Sequence, residues 1–304
     1  MIKMNKVKMF DGGEVNIKCG IESVRTDFET ETVLISVPIS EDKLFCFPSF
    51  IQGLKRLIDN TSAKCTVAFA VNSEDVEIIS AIRSCDIDHI IIPAVRNGFC
   101  DEGLYWVHCI TLAREALREW AIIHGYDWMF FLDADTCIDA GAINRLLSYD
   151  FDASTAFYWQ RVFLEWKDMG DPPGFQIYIS RGPDKSHYVL GVGYEEAKKQ
   201  PSPIWNADTS FGACLISRKA FSSIAFYYGY IPLEPYESIN DLGCSELGRF
   251  LSEDMHFGYD AAVNGMNTSI NVDIKTLHFL FEDDYPRGYA ETGELVTYEE
   301  YMGR

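Results

Sequence analysis

The sequence has no apolar run that approaches the roughly 18–20 residues of a membrane span. Its lysine-bearing start, residues 1–15, also has no apolar stretch long enough for a signal peptide. Basic residues are few: 26 Lys and Arg stand against 46 Asp and Glu, and the formal net charge is −20. Because that field repels nucleic acid and anionic lipid, neither is expected as a partner. These absences predict a cytoplasmic protein without a transmembrane segment.

Paired cysteine motifs are also missing. The nine cysteines contain no C-x-x-C pair and their number is odd, so neither a disulfide framework nor a zinc knuckle is indicated. A reducing compartment fits this usage best. With 304 residues, 47% of them hydrophobic and 24% charged, the chain is long enough and apolar enough to bury a substantial core.

The first half of the sequence alternates apolar, β-branched runs with segments of helical periodicity. The predicted strands are Thr32–Val37, Cys65–Val71, His89–Pro93 and Trp128–Leu132, and the predicted helices are Phe50–Ile58, Val76–Ser84 and Tyr105–His124. This alternation predicts an α/β fold, in which a mixed, mostly parallel, Rossmann-like sheet is flanked by helices. After residue 150, aromatic-rich segments and Pro/Gly turns indicate further sheet and long loops packed on the first half.

Two aspartates, Asp133 and Asp135, follow directly on the last apolar strand of this series. Ligands of an open parallel sheet bind beyond the carboxyl ends of its strands, and two adjacent carboxylates in a cleft need a compensating charge. A hard divalent cation supplies it, because Mg²⁺ or Mn²⁺ takes carboxylate oxygens and keeps positions for diphosphate oxygens. From the residues alone, a solvated pair in an ordinary turn explains the motif equally well.

Two downstream elements carry further candidate groups. Glu253 and Asp254 open a helical segment, where they either complement the helix dipole or, in the case of Asp254, act as general base towards an acceptor hydroxyl. His278 lies on a short apolar strand, a position more typical of a core histidine. It becomes a candidate third metal ligand only in combination with the aspartate pair.

In this order and spacing, the motifs resemble those of GT-A-fold glycosyltransferases, and in particular the family 2-like group. The resemblance is carried by the strand ending at Pro38, Val71-Asn72-Ser73, Asp133-Ala-Asp135, Thr209–Phe221, Glu253-Asp254 and His278. It implies a nucleotide-diphospho-sugar transferase fold and a hexosyltransferase-like enzyme that uses Mn²⁺ or Mg²⁺. The implied reaction moves a sugar from a nucleotide-diphosphate donor to a hydroxyl of a glycan, lipid or protein acceptor, with inversion and without processivity.

The resemblance also implies roles for individual residues. Donor contacts fall to Pro38, Ile39, Ser40, Asn72, Asp75, Asp133 and Gly212. The metal ligands would be Asp133, Asp135 and His278, and the acceptor side would hold Trp205, Asp208 and Glu253. Asp254 would be the catalytic base.

The implied organisation is a single domain with short terminal segments. Residues 1–30 are expected as a polar N-terminal extension, and residues 31–280 as the transferase domain, followed by a tail over 281–304. Within the domain, 31–150 is expected to bind the nucleotide sugar and 151–280 to face the acceptor. No Q-x-x-R-W follows Asp254, which disfavours a processive polymer synthase, and Arg287 is expected as a solvated tail residue.

Three alternatives remain open. A haloacid-dehalogenase-like phosphotransferase also places D-x-D after an apolar strand, but Cys137 stands where that family has Thr or Val. A nucleotidyltransferase would need a Gly-rich basic loop after the first strand, and the segment Pro38–Asp42 is acidic and has no glycine. A catalytically inactive carbohydrate-binding module would use the aromatic residues, 14% of the chain, as sugar platforms.

Overall fold

The fold was analysed in a computed structural model. It describes residues 1–8, 13–72, 74–94, 104–157, 174–180, 187–207, 209–231, 244–245, 248–274 and 276–278. The strands are β1 (Lys3–Lys8), β2 (Glu14–Cys19), β3 (Thr32–Pro38), β4 (Lys64–Val71), β5 (His89–Pro93), β6 (Trp128–Leu132), β7 (Thr136–Ile138), β8 (Ala153–Ala156), β9 (Gly174–Ser180), β10 (His187–Gly193), β11 (Ile204–Trp205), β12 (Ala213–Ser217), β13 (Gly229–Ile231), β14 (Cys244–Ser245), β15 (Gly248–Leu251), β16 (Thr268–Asn271) and β17 (Thr276–His278). The helices are α1 (Phe47–Asp59), α2 (Val76–Ser84), α3 (Tyr105–His124), α4 (Ala142–Ser148), α5 (Tyr194–Ala197), α6 (Arg218–Ser223) and α7 (Glu253–Val263), with a 3-10 turn at Glu41–Lys43.

One ten-stranded sheet organises the described residues, in the order β1-β2-β11-β16-β8-β12-β6-β3-β4-β5. Strands β6, β3, β4 and β5 run parallel to one another, and α1, α2 and α3 connect them along the chain. Beyond β6, strand β12 is antiparallel to both β6 and β8, while β16 runs parallel to β8. The predicted α/β fold with a mixed sheet flanked by helices is therefore confirmed.

Strand β3 shows why the parallel half lies at the centre of the molecule. Its residues Val33, Ile35 and Val37 face one hydrophobic cluster, which includes the buried face of α1, and Leu34 faces a second cluster on the side of α3. Successive side chains of a strand point to opposite faces, so a strand covered on both sides is apolar at most of its positions. This is why Val33–Val37 reads as an apolar run interrupted only by Ser36, whose buried hydroxyl donates to the Leu34 carbonyl at 3.2 Å.

The bounds of the central elements agree closely with the sequence pattern. Helix α3 ends at His124 because Gly125 adopts the left-handed conformation, with φ 72°, and Tyr126 N–H donates to the Ala121 carbonyl at 3.1 Å. Helix α1 begins at Phe47, three residues earlier than the periodicity indicates. Pro48 lies in its first turn, where the missing N–H has no helical partner to lose.

Two strands lie within residues 1–30, the expected polar N-terminal extension. Strands β1 and β2 form an antiparallel hairpin, and β2 pairs with β11 through Cys19 and Ile204 at the edge of the large sheet. Val7 and Ile17 are buried there in a third hydrophobic cluster with Ile270. The pattern was missed because only one face of this polar hairpin is covered. The predicted division of the domain into donor and acceptor halves stays a prediction.

No helix in the described ranges has both the length and the apolar character needed to cross a membrane. Every cysteine whose side chain is described is a free thiol.

Candidate active site

A cleft of about 620 Å³ lies at the carboxyl ends of the parallel strands. Its floor is formed where β3 ends at Pro38, where Asn72 follows β4, and where Asp133 and Asp135 follow β6. The first half of α3 and the start of α7 form the facing wall. Strand ends that meet at one edge of a parallel sheet leave a crevice there, which is the position expected for a ligand.

The structure brings together eight of the residues proposed from the sequence. The cleft is lined by Pro38, Ile39, Ser40, Asn72, Asp133, Asp135, Glu253 and Asp254. Of the others, Asp208 lies outside the described residues. His278 is described by its backbone only, which pairs with Thr136 in the two-stranded sheet of β17 and β7. That pairing puts the His278 backbone beside the residue that directly follows Asp135.

Arg114 is the central buried cation of the site. It projects from α3, only 4% of its surface is exposed, and Nη2 donates to Asp133 Oδ1 at 2.9 Å. Nη1 donates to Glu253 Oε1, and the guanidinium lies over the ring of Phe211, 5.2 Å from its centroid. Burial alone would lower the pKa of Arg114, but the carboxylates of Glu253 and Asp133 raise it above its ordinary value. The guanidinium therefore stays charged and connects α3, β6 and α7.

Lys43 is the second cation, and it contacts the other aspartate of the motif. From the 3-10 turn after β3, its Nζ lies 3.0 Å from Asp135 Oδ2 and 3.2 Å from Asp42 Oδ2. The side chain of Asp135 is 6% exposed and that of Lys43 is 29% exposed. Burial opposes the charge on Lys43, but Asp135 and Asp42 outweigh it and raise the pKa of the ammonium.

Asp254 lies at the first turn of α7, where its carboxylate is held by the chain that precedes and follows it. Asp254 Oδ1 accepts hydrogen bonds from Ser252 Oγ and, at 2.8 Å, from Met255 N–H. A carboxylate that is held in one orientation on the wall of a cleft is the arrangement a general base requires.

Glu253 is next to Asp254 in sequence but has a different environment. It is 3% exposed, and burial raises its pKa to about 7, with Asp254 and Asp133 adding to the effect and Arg114 opposing it. Among the described residues, Oε2 has no hydrogen-bond partner. A carboxyl with a pKa near neutrality can exchange a proton at physiological pH, so Glu253 is also a candidate for proton transfer.

The side chain of Asn72, which follows β4, is a polar group of the cleft wall. Asn72 is 7% exposed, and its Oδ1 accepts from Glu74 N–H at 3.4 Å. Its Nδ2 is buried without a hydrogen-bond partner in the described part of the chain. An unpaired buried donor costs free energy, and a ligand carbonyl or hydroxyl in the cleft would recover it.

Aromatic side chains stand at the rim of the cleft. Tyr105 and Trp106 open α3, line the cleft, and are 46% and 67% exposed. Exposed aromatic faces of this kind can pack against a base or the apolar face of a sugar.

Three predicted residues lie away from the cleft. Trp205 does not line it: the indole Nε1 donates to the Gly20 carbonyl at 2.9 Å, and the Lys18 ammonium lies 3.2 Å from the ring centroid. Asp75 is the buried N-cap residue of α2. Gly212 is in the turn before β12, where its carbonyl accepts from Asp133 N–H at 3.1 Å. Gly212 therefore contacts the backbone of the aspartate motif without lining the cleft.

The predicted metal ligands are not assembled as a set in the described side chains. No group of three or more His, Cys, Asp or Glu residues suited to a metal ion occurs among them. Asp133 is ion-paired with Arg114 and Asp135 with Lys43, so each carboxylate already has a protein cation as its partner. Carboxylate oxygens are the type of ligand that a hard cation prefers. The arrangement of Asp133 and Asp135 does not fit a bound cation, because Arg114 and Lys43 already compensate their charges.

Sequence reasoning missed the two cations, although one of them has a signal. The buried residues of α3 recur at helical spacing, and Arg114 occupies one of these core positions: Val107, Thr111, Arg114, Leu117 and Ala121. A charged residue at a core position of an amphipathic helix implies buried partners of opposite charge. Lys43 has no comparable signal, because its short turn has no buried residue and is locally acidic.

Comparison with known proteins finds similarity in backbone fold and not in sequence. No protein-family model and no curated protein sequence matches the chain. Among solved structures, a mannosyltransferase from Pyrobaculum calidifontis in complex with GDP-Man and Mn²⁺ matches with a TM-score of 0.46 and 12% identity, over 86% of this chain and 59% of that one. A putative glucose-1-phosphate thymidylyltransferase from Bacillus anthracis, in complex with a sucrose, matches with a TM-score of 0.40 and 11% identity, over 81% of this chain and 88% of that one.

A third structure, a CMP:2-keto-3-deoxy-manno-octonic acid synthetase complexed with CTP, matches with a TM-score of 0.39 and 12% identity, over 80% of this chain and 90% of that one. This chain thus spans 59% of the length of the mannosyltransferase. At these scores and identities the likenesses carry no conclusion about activity. A function is therefore inferred from the residues of the cleft.

Proposed function

We propose that the chain is a glycosyltransferase that binds a nucleotide-diphosphate sugar in the cleft and transfers the sugar to an acceptor hydroxyl. The observation that carries the proposal is the meeting of Asp133, Asp135 and Asp254 in one cleft at the carboxyl ends of the parallel strands. Arg114 and Lys43 lie in the same cleft, so it offers both positive charge for an anionic donor and a carboxylate for proton transfer.

The donor half of the proposal uses the ends of β3 and β4. Pro38, Ile39 and Ser40 would contact the nucleotide, and Asn72 Nδ2 would donate to it, because this amide is buried without a partner among the described residues. The Lys43 ammonium, partly exposed to the cleft, would lie on the diphosphate side. A nucleoside diphosphate carries negative charge as a leaving group, and a fixed cation stabilises that charge as the bond to the sugar breaks.

Asp254 would act in the acceptor half. As the acceptor oxygen forms its bond to the anomeric carbon, the bond from that carbon to the diphosphate oxygen breaks, and the hydroxyl proton passes to the Asp254 carboxylate. Ser252 and the Met255 N–H orient that carboxylate on the cleft wall. Attack from the face opposite the leaving group would invert the anomeric centre.

A divalent cation, where one binds, would act as a Lewis acid on the leaving diphosphate. Its ligands as proposed from the sequence are Asp133, Asp135 and His278, but the two carboxylates as arranged do not fit a metal. Because both carboxylates are ion-paired with protein cations, no step of the proposed reaction is derived through a metal.

The proposal is tested first by ligand-induced thermal stabilisation. UDP-, GDP-, CDP- and dTDP-sugars are added one at a time, each with Mn²⁺ and each with a chelator. A ligand that binds the folded state alone raises the melting temperature by mass action, so a shift that is selective for one base identifies the donor. Absence of a shift with every donor in both conditions contradicts the proposal, and a shift with phosphate mimics and Mg²⁺ alone would favour a phosphotransferase.

A turnover assay separates the enzyme from a binding module. With the donor identified, wild-type protein is assayed for hydrolysis or transfer, in parallel with Asp254→Asn. An enzyme loses turnover in this variant and keeps donor affinity, whereas a binding module has no turnover to lose.

A further inference from the structure

The ion pair between Lys43 and Asp135 places a protein cation at the position where the D-x-D motif would otherwise hold a metal. Lys43 Nζ lies 3.0 Å from Asp135 Oδ2, a charge-assisted hydrogen-bond distance. The carboxylate itself is almost completely buried, with 6% of its side chain exposed. A buried carboxylate requires a cationic partner, and here the partner is supplied by the chain.

The second carboxylate of the motif is neutralised in the same way. Asp133 Oδ1 accepts from Arg114 Nη2 at 2.9 Å, and Arg114 also pairs with Glu253. A divalent cation bound between Asp133 and Asp135 would therefore lie close to two fixed positive charges. Like charges at such separations repel strongly when water is largely excluded, so a metal could bind only after at least one of these ion pairs is broken.

Both cations line the cleft, and Lys43 is the more exposed of the two. Its side chain is 29% exposed, whereas that of Arg114 is 5% exposed. The ammonium has three N–H donors, and contacts to Asp135 and Asp42 leave one for a ligand in the cleft. Phosphate oxygens are suitable acceptors for such a donor.

We propose that the Lys43 ammonium is the built-in cation of this site: it takes the place of a divalent ion at Asp135 and binds the diphosphate of the ligand directly. The choice of a diphosphate rests on the proposed function, whereas the exclusion of metal does not. The site therefore discriminates against divalent cations as long as Lys43 is present, and it binds anionic phosphate oxygens without one.

The proposed exclusion of divalent cations is tested by electron paramagnetic resonance of Mn²⁺ added to the folded protein without any nucleotide. Wild type, Lys43→Met, Lys43→Met with Asp135→Asn, and Lys55→Met are compared. Lys55 is the matched control, because it forms an ion pair with Asp86 at 2.9 Å and does not line the cleft. We expect Lys43→Met to bind one equivalent of Mn²⁺ at least about tenfold more tightly than wild type, and the double variant to lose that binding.

Two results would overturn the claim that Lys43 excludes a divalent cation from Asp135. In the first, wild type and Lys43→Met bind Mn²⁺ with equal affinity; in the second, neither binds it. The wild-type titration remains decisive even where Lys43→Met does not fold, because one tightly bound equivalent of Mn²⁺ in wild type contradicts a resident ammonium at Asp135.

The proposed binding of the diphosphate by Lys43 is tested by calorimetric titration with inorganic pyrophosphate in excess chelator. We expect wild type and Lys55→Met to bind it alike and Lys43→Met to bind it at least about tenfold more weakly. Absence of binding by wild type in chelator, or equal binding by Lys43→Met, overturns this claim. Nucleotide sugars that stabilise the protein only with Mn²⁺ would overturn the built-in cation and leave the proposed glycosyl transfer standing.

Discussion

Arg114 and Asp133 join helix α3 to the end of strand β6 through a part-buried hydrogen bond of 2.9 Å between Nη2 and Oδ1. The same guanidinium pairs with Glu253 at the start of α7, so one side chain connects three elements that are far apart in sequence. Of the two carboxylates that it holds, Glu253 directly precedes Asp254 in the sequence and Asp133 lies two residues before Asp135. Arg114 is therefore a positioning residue: it fixes the aspartate motif relative to the proposed base.

Replacing Arg114 should destabilise the fold more than replacing an exposed arginine. Arg114→Met leaves the buried Glu253 and the half-buried Asp133 without their cation, and breaking a buried pair costs about 3–5 kcal/mol. Urea unfolding of the variant and wild type at pH 7 measures the difference in the free energy of unfolding.

A double variant tests whether the unpaired carboxylate causes the loss. Arg114→Met combined with Asp133→Asn removes one of the two carboxylates that Arg114 holds and should recover part of the stability of Arg114→Met. A loss below about 1 kcal/mol in Arg114→Met, the range of exposed ion pairs, would show that the network does not stabilise the fold.

Substitutions of Asp254 and Glu253 should affect kcat differently, because Asp254 is proposed to act in catalysis and Glu253 to support the site. Asp254→Asn keeps the size of the side chain but removes the base, so we expect kcat to fall by about 10²–10⁴-fold while donor affinity stays within a small factor. Steady-state kinetics with the donor identified by thermal stabilisation provides the measurement. If Glu253→Gln loses kcat to this extent while Asp254→Asn retains wild-type kcat, the roles are reversed.

Stability should depend on pH through Glu253. Burial raises its pKa from 4.5 to about 7, so between these values the folded chain holds a proton that the unfolded chain has released. Stability contributed by this group is complete below pH 4.5 and is lost as the pH rises towards 7, with a slope of at most about 1.4 kcal/mol per pH unit.

Urea unfolding from pH 4.5 to pH 7.5 measures this contribution when wild type is compared with Glu253→Gln, which does not titrate. We expect the wild-type stability to fall relative to that of the variant as the pH rises. Glu22→Gln, at an exposed position, is the control and should follow wild type. Parallel curves for wild type and Glu253→Gln would contradict a raised pKa.

A substitution in the central strand β6 should show how much the core contributes to the free energy of unfolding. Phe130 is fully buried within the cluster formed by β3, β4 and the helices on that face. Phe130→Ala removes its contacts and leaves a cavity, so we expect a loss of about 3–5 kcal/mol. Ile123→Ala, at a position that is 77% exposed, should change stability by less than about 0.5 kcal/mol. Equal effects of the two substitutions in urea unfolding would contradict the placement of β6.

The sequence by itself determined the parallel half of the fold. Strands buried on both faces are apolar at most positions, and helices that cover them repeat apolar residues every three or four positions. These local requirements predict β5, β6, α2 and α3 with the bounds that the structure shows. They also predict that residues after different strand ends, such as Asn72 and Asp133, meet at one edge.

Only the tertiary structure decided which charges meet in the cleft and where weakly patterned segments pack. Lys43 and Asp135, or Arg114 and Glu253, are distant in sequence, and the energy of an ion pair depends on separation and burial, which local patterns do not encode. The same holds for Trp205, which packs against the N-terminal hairpin and away from the cleft. Strands β1 and β2 bury only one face at the sheet edge, so their apolar signal was too sparse to read without their neighbour β11.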